Sequence, residues 1–565
     1  MKFLCALCAL CSLVFPAYAL DRGAFTFTNY DLNVRVEPEQ QRLAVRGKIT
    51  LQNGSAVPQK NLVLQISSTL DWKSIQFGGK TVQFVTHEYT SDIDHTGTLS
   101  EAVVSLPREV QPKGTIDLEI GYEGTVPLDV TRLTRIGIAE EKAKHSDWDQ
   151  ISKSFTAVRG IGYVAWYPVA TEAANLSEGS SVEDVVAQWK ARQATASMSI
   201  RFESTSPQPI FFSGEPSQEG KHKDTTASNR AAFSLASSGM DVPTFVISDY
   251  QKLRPNDQLV IYYLPGQEES AKDYGEVVAQ VDPIIPAASG SGNPQILGLP
   301  DPDAASFVTG DMWLTPLRSE LTNEAELSIV YAKARQASSP RAWIREGLAH
   351  YAQVAFIEKQ QGRQAALNYL DAHASALIET ENAAAGKPNG HESVGSLTDA
   401  PDGLSLQTKA MYVWWMLKDM SGDMLMQVLT SYRAIEDKDP AYLQRLVEKA
   451  TRRDLQWFFD DWVYHDRGLP EFRVDAVFAS PLEKGGFLVT VTVENLGNAG
   501  AEVPVILKIE GGEIRRQLEV RGKSKASVRI EAASAPQEVT VNDGSVPEGD
   551  RSNNTYKVQP RDTAR

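Results

Sequence analysis

The sequence has few cysteines, and none of them belongs to the part of the chain expected to fold. All three lie within the first 19 residues, at Cys5, Cys8 and Cys11. Residues 1–19 have the pattern of a secretory signal peptide, with Lys2, an apolar run and an A-x-A cleavage site that ends at Ala19. The mature protein is therefore expected to be exported, to a periplasmic or extracellular location. It should contain neither disulfides nor thiolate metal sites.

Long apolar runs and runs of basic residues are also missing after residue 19. No later stretch is apolar enough over a sufficient length to span a bilayer, so no transmembrane segment is expected. The formal charge of -16 becomes -17 once residues 1–19 are removed, because Lys2 is their only charged residue. An acidic chain without a Lys/Arg cluster is not expected to bind nucleic acid.

The histidines are too far apart for a helical zinc motif. A helical metal site of the H-E-x-x-H type needs two imidazoles one turn apart, so that both point to the same side of the helix. No two of the histidines in this chain are three to five residues apart, and they stand at His87, His95, His145, His222, His350, His373, His391 and His465. The sequence thus excludes that motif in any alignment.

Strand patterns fill both ends of the chain and helical patterns fill its middle. Alternating segments separated by turn residues predict an antiparallel β-sandwich for residues 20–250. Residues 251–470 begin with strands, including 307–314, and continue with apolar positions at helical spacing. Residues 471–565 return to alternation and predict a second, Ig-like β-sandwich. The expected fold class is multidomain α+β.

One helical segment in the middle region has an informative pattern. It runs from Trp343 to Tyr351 with the form W-x-x-E-G-x-A-x-Y and has one carboxylate, Glu346, in its first turn. This pattern resembles the helix that provides the third zinc ligand, a glutamate, in the M1 aminopeptidases, which are gluzincins. Other sequence segments across residues 24–470 are similar to segments of the same family. Segments after residue 470 resemble adhesion-type β-sandwich modules of exported bacterial proteins.

The resemblance implies a thermolysin-like α/β and helical domain over residues 251–470 with a peptide-binding cleft. The cleft residues that it implies are Trp343, Glu346, Gly347, His350 and Tyr351. Glu346 stands at the position of the third ligand. Without a metal, a Glu and a His at i and i+4 usually form an ion pair on a helix surface, or the Glu caps the helix.

The rest of the family's zinc site is missing from the sequence. The family spacing, counted back from Glu346, puts the imidazole positions at Asn323 and Leu327 and the general base at Glu324. The helix predicted over residues 324–336 is separated from the next by a short turn, and in so tight a hairpin the positions level with Glu346 lie later, near Val330 and Ala334. Neither register offers a histidine, so Glu346 is the lone remnant of a metal site.

Two further family parts are altered. The transition-state tyrosine that the resemblance implies stands two residues before Lys409, and Gln407 occupies that position. The family's loop that binds the substrate amino terminus is matched only weakly, at residues 310–314, where Trp313 replaces the glutamate of that loop. No catalytic set is intact, and the vestigial candidates are Glu324, Gln407 and Lys409.

Three functions stay open at this point, and whether the protein is an enzyme stays open with them. The first is an exported pseudo-peptidase that binds a peptide or protein in its cleft and needs no cofactor. The second is an active metallopeptidase that holds zinc with unorthodox ligands, drawn from Glu346, His350, Glu324 and His391. The third is a structural or adhesive envelope protein that makes its contacts through residues 471–565.

Overall fold

The computed structural model describes residues 20–178, 182–217, 229–239, 241–257, 259–280, 295–318, 322–335, 339–385, 396–398 and 404–558. The segment 1–19, the Ser/Gly-rich link at 288–293 and His391 lie outside the described residues. Contacts divide the chain into two compact units, residues 1–238 with 242–248 and residues 239–241 with 249–565. The protein is therefore multidomain and contains both sheets and helices.

Strands dominate the first unit. They are β1 (Phe25–Glu37), β2 (Arg42–Asn53), β3 (Gln59–Ser67), β4 (Leu70–Phe77), β5 (Lys80–Thr81), β6 (Gln83–Thr90), β7 (Thr98–Val110), β8 (Thr115–Thr125), β9 (Phe155–Val158), β10 (Ser197–Ser204), β11 (Ile210–Phe212), β12 (Glu215–Pro216), β13 (Asn229–Leu235) and β14 (Phe245–Ser248). The helices are α1 (Thr131–Arg135), α2 (Glu140–Ser146) and α3 (Val182–Gln193). The sheet orders are β12-β13-β10-β1-β2-β8-β4-β5, β3-β7-β6 and β11-β14-β9.

The largest sheet of this unit departs from the expected antiparallel arrangement at one pair. Strands β1 and β10 run parallel, with Leu32 opposite Ile200 and Val34 opposite Phe202. The long connection between β8 and β10, which contains α1, α2 and α3, lets the chain cross over and return in the same direction. The sheet is therefore mixed, because local alternation fixes which side chains are buried but does not fix strand direction.

The second unit begins with a mixed sheet and a helical region. The strands are β15 (Gln251–Asn256), β16 (Leu259–Tyr263), β17 (Gln295–Gly298), β18 (Phe307–Thr309) and β19 (Met312–Thr315), in the order β15-β16-β17-β19-β18. The helices are α4 (Glu268–Gln280), α5 (Asn323–Arg335), α6 (Ala342–Gln361), α7 (Arg363–Ala385), α8 (Ala410–Ser421), α9 (Met424–Ser431), α10 (Tyr442–Thr451) and α11 (Gln456–Phe459). Residues 307–314, predicted as one strand, form two, because Gly310 adopts a φ of 52° and turns the chain back.

The chain ends in two further sheets of the same unit. Their strands are β20 (Phe472–Pro481), β21 (Phe487–Asn495), β22 (Ala501–Ile509), β23 (Gly512–Val520), β24 (Lys525–Ala532), β25 (Pro536–Val541) and β26 (Thr555–Lys557), in the orders β20-β21-β24 and β23-β22-β25-β26. Their inward side chains belong to the same buried cluster as the side chains of the helices. Within the described part of the chain, none of the helices has the length and apolarity needed to cross a membrane.

Candidate functional site

The α5–α6 hairpin places Glu346 at the centre of a group of polar side chains. Tyr331 donates a hydrogen bond from its Oη to Glu346 Oε2 over 2.7 Å, and Arg335 donates from its Nε to Glu346 Oε1 over 2.9 Å. Tyr331 and Arg335 are four residues apart on α5, so their side chains point to the same side of that helix. Both oxygens of the Glu346 carboxylate thus accept hydrogen bonds from α5.

The contacts also fix the register between the two helices. Gln353 on α6 donates to the carbonyl of Leu327, while Glu346 lies against Tyr331 and Arg335. The two helices therefore run antiparallel. Tyr331 and Arg335, which contact Glu346, each follow by one residue the positions expected near it, Val330 and Ala334, whose side chains are buried in the core. The family-spacing register is further off, since Leu327 is level with Gln353.

A second arginine and an aspartate extend this group. Arg345 donates from its Nη1 to Asp241 Oδ2 over 3.1 Å, and Arg335 donates from its Nη2 to Asp241 Oδ1 over 3.3 Å. The Nε atom of Arg345 is 3.6 Å from Glu346 Oε1. Two guanidinium groups and two carboxylates therefore alternate, and all four side chains are at most 17% exposed. We call these four side chains the arginine–carboxylate cluster.

The electrostatics of this cluster keep Glu346 and Arg335 charged. Burial by itself raises the pKa of the Glu346 carboxyl, but the positive charges of Arg335 and Arg345 outweigh that effect and the pKa is lowered. Burial lowers the pKa of Arg335, and the charges of Glu346 and Asp241 more than reverse this. For Tyr331, burial and the Glu346 charge both raise the pKa, so its hydroxyl stays protonated and remains a donor.

His350 lies one turn beyond Glu346 on α6, beside the arginine–carboxylate cluster. Its ring is 4.8 Å from the ring of Tyr331, measured between centroids, and its Nδ1 is 3.2 Å from Gln353 Oε1. Burial lowers the pKa of His350 although the nearby Glu346 charge opposes this. His350 is therefore neutral at pH 7, and the cation beside Glu346 is an arginine.

The remaining residues implied for the cleft are packed inside the second unit. The Trp343 ring stacks on Trp414 with centroids 5.8 Å apart, and Tyr351 is buried. Gly347 lies against α8, where an added Cβ would meet the Ala410 Cβ at 2.6 Å. These three residues hold α6 in the core, and Glu346 and His350 face the other way, toward α5.

The vestigial candidates are dispersed. Glu324 is exposed in the first turn of α5, seven residues before Tyr331 and therefore ~10 Å away along the helix axis. Gln407 is exposed on a π-helical turn, Ser405–Lys409, that precedes α8. Lys409 is buried and pairs with Glu381 over 3.2 Å and with Asp466 over 2.5 Å.

Zinc does not fit the residues around Glu346. A guanidinium nitrogen already lies 2.9 Å from Glu346 Oε1, on the side from which a cation would approach. Neither Tyr331 nor Arg335 offers the neutral nitrogen or anionic oxygen that Zn²⁺ prefers. Within the ranges that the structure describes, no three His, Cys, Asp or Glu side chains are placed to hold a metal ion.

Sequence reasoning missed Tyr331, Arg335 and Asp241 as parts of this site. Tyr331 and Arg335 had a detectable signal in the sequence. They are polar residues at i and i+4, on the same side of a helix that was predicted to lie opposite Glu346. Asp241 had none, because 104 residues separate it from Arg345 and only the tertiary fold brings them together.

Comparison with models of protein families found no match, and neither did comparison with curated proteins. Solved structures similar to this chain include an M1 zinc metallopeptidase from Deinococcus radiodurans, with 16% identity and a TM-score of 0.46, covering 79% of this chain and 95% of that one. A mutant of that enzyme bound to a Tyr-Ser-Ala substrate matches at 15% identity, with the same TM-score and coverage. Both of these structures are of an M1 zinc metallopeptidase.

Proposed function

We propose that this protein is an exported, M1 aminopeptidase-like pseudo-peptidase that binds a peptide or protein in its cleft without a zinc-dependent reaction. The observation that supports this most is the contact between Glu346 and Arg335. In this hairpin the carboxylate that the motif marks as a metal ligand is neutralised by an arginine of the facing helix.

The charges around Glu346 disfavour a divalent cation. A divalent cation next to Glu346 would lie within a few ångströms of two guanidinium groups, and like charges at that distance repel strongly in a partly buried site. Binding of a metal ion would also require Arg335 to break its ion pair with Glu346, in which both side chains are at most 12% exposed. Replacing the metal by a guanidinium keeps Glu346 ionised and the two helices joined, but it supplies neither a Lewis acid nor an activated water.

Metal analysis of the purified mature protein tests this proposal. After reconstitution with zinc and gel filtration, we expect less than one equivalent of zinc and no aminopeptidase activity that a chelator abolishes. The Glu346→Ala variant should have the same zinc content as the wild type. Stoichiometric tight zinc together with turnover would overturn the proposal.

A gain-of-site variant provides the positive control. Tyr331→His with Arg335→His puts two imidazoles one turn apart opposite Glu346, which is the ligand set of a helical zinc site. We expect this double variant to retain one equivalent of zinc where the wild type retains less. Adding Glu346→Ala should remove that zinc, and a double variant without zinc would contradict the register assigned to the hairpin.

The domain boundaries and the export of the protein are part of the same proposal. Residues 20–250 are proposed as the M1-like β domain, 251–470 as the thermolysin-like domain and 471–565 as an Ig-like sandwich. Export to the periplasm or the medium rests on the signal-peptide pattern of residues 1–19. Amino-terminal sequencing of the secreted protein tests it, and a chain that retains Met1 would count against it.

A further inference from the structure

Arg345 has two N–H groups that the arginine–carboxylate cluster does not use. Its Nη1 donates to Asp241, while Nε and Nη2 are buried and have no hydrogen-bond acceptor among the described residues. Oε1 of Glu346 is 3.6 Å from Nε, beyond hydrogen-bond distance. Buried donors of a charged group are costly to leave unsatisfied, so an acceptor that reaches them gains more than it would in water.

The two unused groups form one edge of the guanidinium plane. Nε and Nη2 present parallel N–H bonds, a fork that matches the two oxygens of a carboxylate. Arg335 cannot compete for the same ligand, because its Nε and Nη2 already donate to Glu346 and Asp241. Glu346 would repel an incoming anion, and its ion pair with Arg335 and hydrogen bond from Tyr331 offset part of that repulsion.

We propose that Arg345 is the anchor of a carboxylate-binding subsite, so that the peptide bound by this protein is recognised through a carboxylate. That group is either the free carboxyl terminus of the peptide or an acidic side chain. The subsite rests on the proposed function, because it assigns a ligand class to the same cleft. It lies at the α5–α6 hairpin beside Glu346, and the bidentate geometry of the fork selects carboxylates over carboxamides.

Binding of a matched set of labelled peptides tests the subsite. One peptide has a free carboxyl terminus and no acidic residue, a second has an amidated terminus and one internal glutamate, and a third has an amidated terminus and glutamine in place of that glutamate. Each is titrated by fluorescence anisotropy into the wild type, Arg345→Gln and Arg345→Lys. Arg445→Gln is the control, because Arg445 forms an exposed ion pair with Asp439 on α10.

We expect the wild type to bind one or both carboxylate peptides more tightly than the third peptide. Arg345→Gln should weaken binding of the carboxylate peptides by roughly 10- to 100-fold, the loss expected for hydrogen bonds to a charged group, and leave the third peptide unchanged. Arg345→Lys keeps the charge but loses the fork, and should weaken binding by roughly tenfold. Which of the two carboxylate peptides responds identifies the source of the group.

The remaining outcomes separate the two proposals. If the wild type binds all three peptides equally, or if the Arg345 variants bind as the wild type does, the carboxylate subsite is wrong and the peptide-binding function stands. If no peptide binds the wild type, the proposed function fails and the subsite fails with it. Should Arg345→Gln not fold, Arg345→Lys and the wild-type comparison still decide the question.

Discussion

Glu346, the carboxylate of the W-x-x-E-G-x-A-x-Y segment, is held by side chains of the facing helix. Its carboxylate is buried, ionised and paired with Arg335, with Tyr331 as a hydrogen-bond donor. A buried pair of this kind costs a great deal to break, because the remaining charge has no solvent to replace its partner. The pair therefore joins α5 to α6.

Removing both members of the pair should cost less than the two single changes added together. We expect Glu346→Ala to lower the free energy of unfolding by about 3–5 kcal/mol, because it leaves two guanidinium groups facing one carboxylate, Asp241. The double variant Glu346→Ala with Arg335→Met should cost clearly less than the sum of the single changes. Urea denaturation of the four proteins measures this coupling.

An exposed pair provides the comparison for that cycle. Arg445 and Asp439 are each more than half exposed, so removing either should change the free energy of unfolding by about 0–1 kcal/mol. Additive costs for Glu346 and Arg335 would show that the contact between them contributes little to stability.

Among the helices, the packing of α6 against α8 explains the glycine that follows Glu346. An added Cβ at Gly347 would meet Ala410 Cβ at 2.6 Å and Trp414 Cδ1 at 3.0 Å. Both neighbours are fully buried, so neither has room to move away. Gly347 lets α6 and α8 approach closely. The position of α6 in the core in turn determines where Glu346, the residue before Gly347, lies.

We expect Gly347→Ala to destabilise the protein by about 1–3 kcal/mol. Alanine favours the helix by ~1 kcal/mol over glycine, but the overlap with Ala410 outweighs that gain. The shift in thermal midpoint measures the effect. Gly512→Ala is the control, since nothing lies within 4 Å of a Cβ added there, and an equally small effect at both positions would refute the packing argument.

The loop between β25 and β26 contains a carboxyl group that titrates near neutrality. Glu548 accepts hydrogen bonds from the backbone N–H of Phe472, at the start of β20, and from the side chains of Asn542 and Asn554. Burial raises the pKa of Glu548 from 4.5 to about 7, even though these hydrogen bonds oppose the shift. The folded state therefore holds a proton that the unfolded state has lost between these two values.

A raised pKa in the folded state means that stability falls as pH rises. The contribution of Glu548 is complete below pH 4.5, declines up to about pH 7 and is absent above it. We expect the wild type to lose on the order of 3 kcal/mol across this window from this group alone. Urea denaturation at several pH values should show a flatter dependence for Glu548→Gln than for the wild type and for the exposed-site control Glu513→Gln. Parallel curves would contradict the assignment.

At the scale of the whole second unit, the C-terminal sheets are part of the helical core. Trp462 donates from its Nε1 to the carbonyl of Gly500 over 2.7 Å, and Arg363 joins Asp419 of α8 to Asp543 in the loop after β25. Buried side chains of β20, β21 and β22 belong to the same apolar cluster as those of α8 and α11. This arrangement fits a fixed structural part better than a tethered adhesive module.

A chain that ends at residue 470 should therefore fail to fold its helical region. Truncation would expose the apolar surface around Trp462 and leave Arg363 without Asp543. We expect loss of the near-UV circular dichroism signal and rapid proteolysis of residues 251–470. A truncated protein with native-like spectra and protease resistance would show that the sheets are dispensable, and it would restore the adhesive-module hypothesis.

The sequence by itself determined the local features of this protein. The alternation of apolar residues in β1 and the helical spacing of α6 were readable because both depend on neighbouring residues. The absence of a helical histidine pair was equally certain, since it needs only the spacing of histidines along the chain. These observations limited the chemistry of Glu346 before its surroundings were known.

Only the tertiary structure decided what surrounds Glu346. Three features depend on how distant segments of the chain meet. They are the parallel pairing of β1 with β10, the contact of Glu346 with Tyr331 and Arg335 on α5, and the contact of Asp241 with both arginines. A shift of one residue on a helix rotates its side chains by about 100°, which here exchanges two buried apolar residues for Tyr331 and Arg335. The packing of α5 in the core determines its rotation about the helix axis, and this rotation places Arg335 beside Glu346.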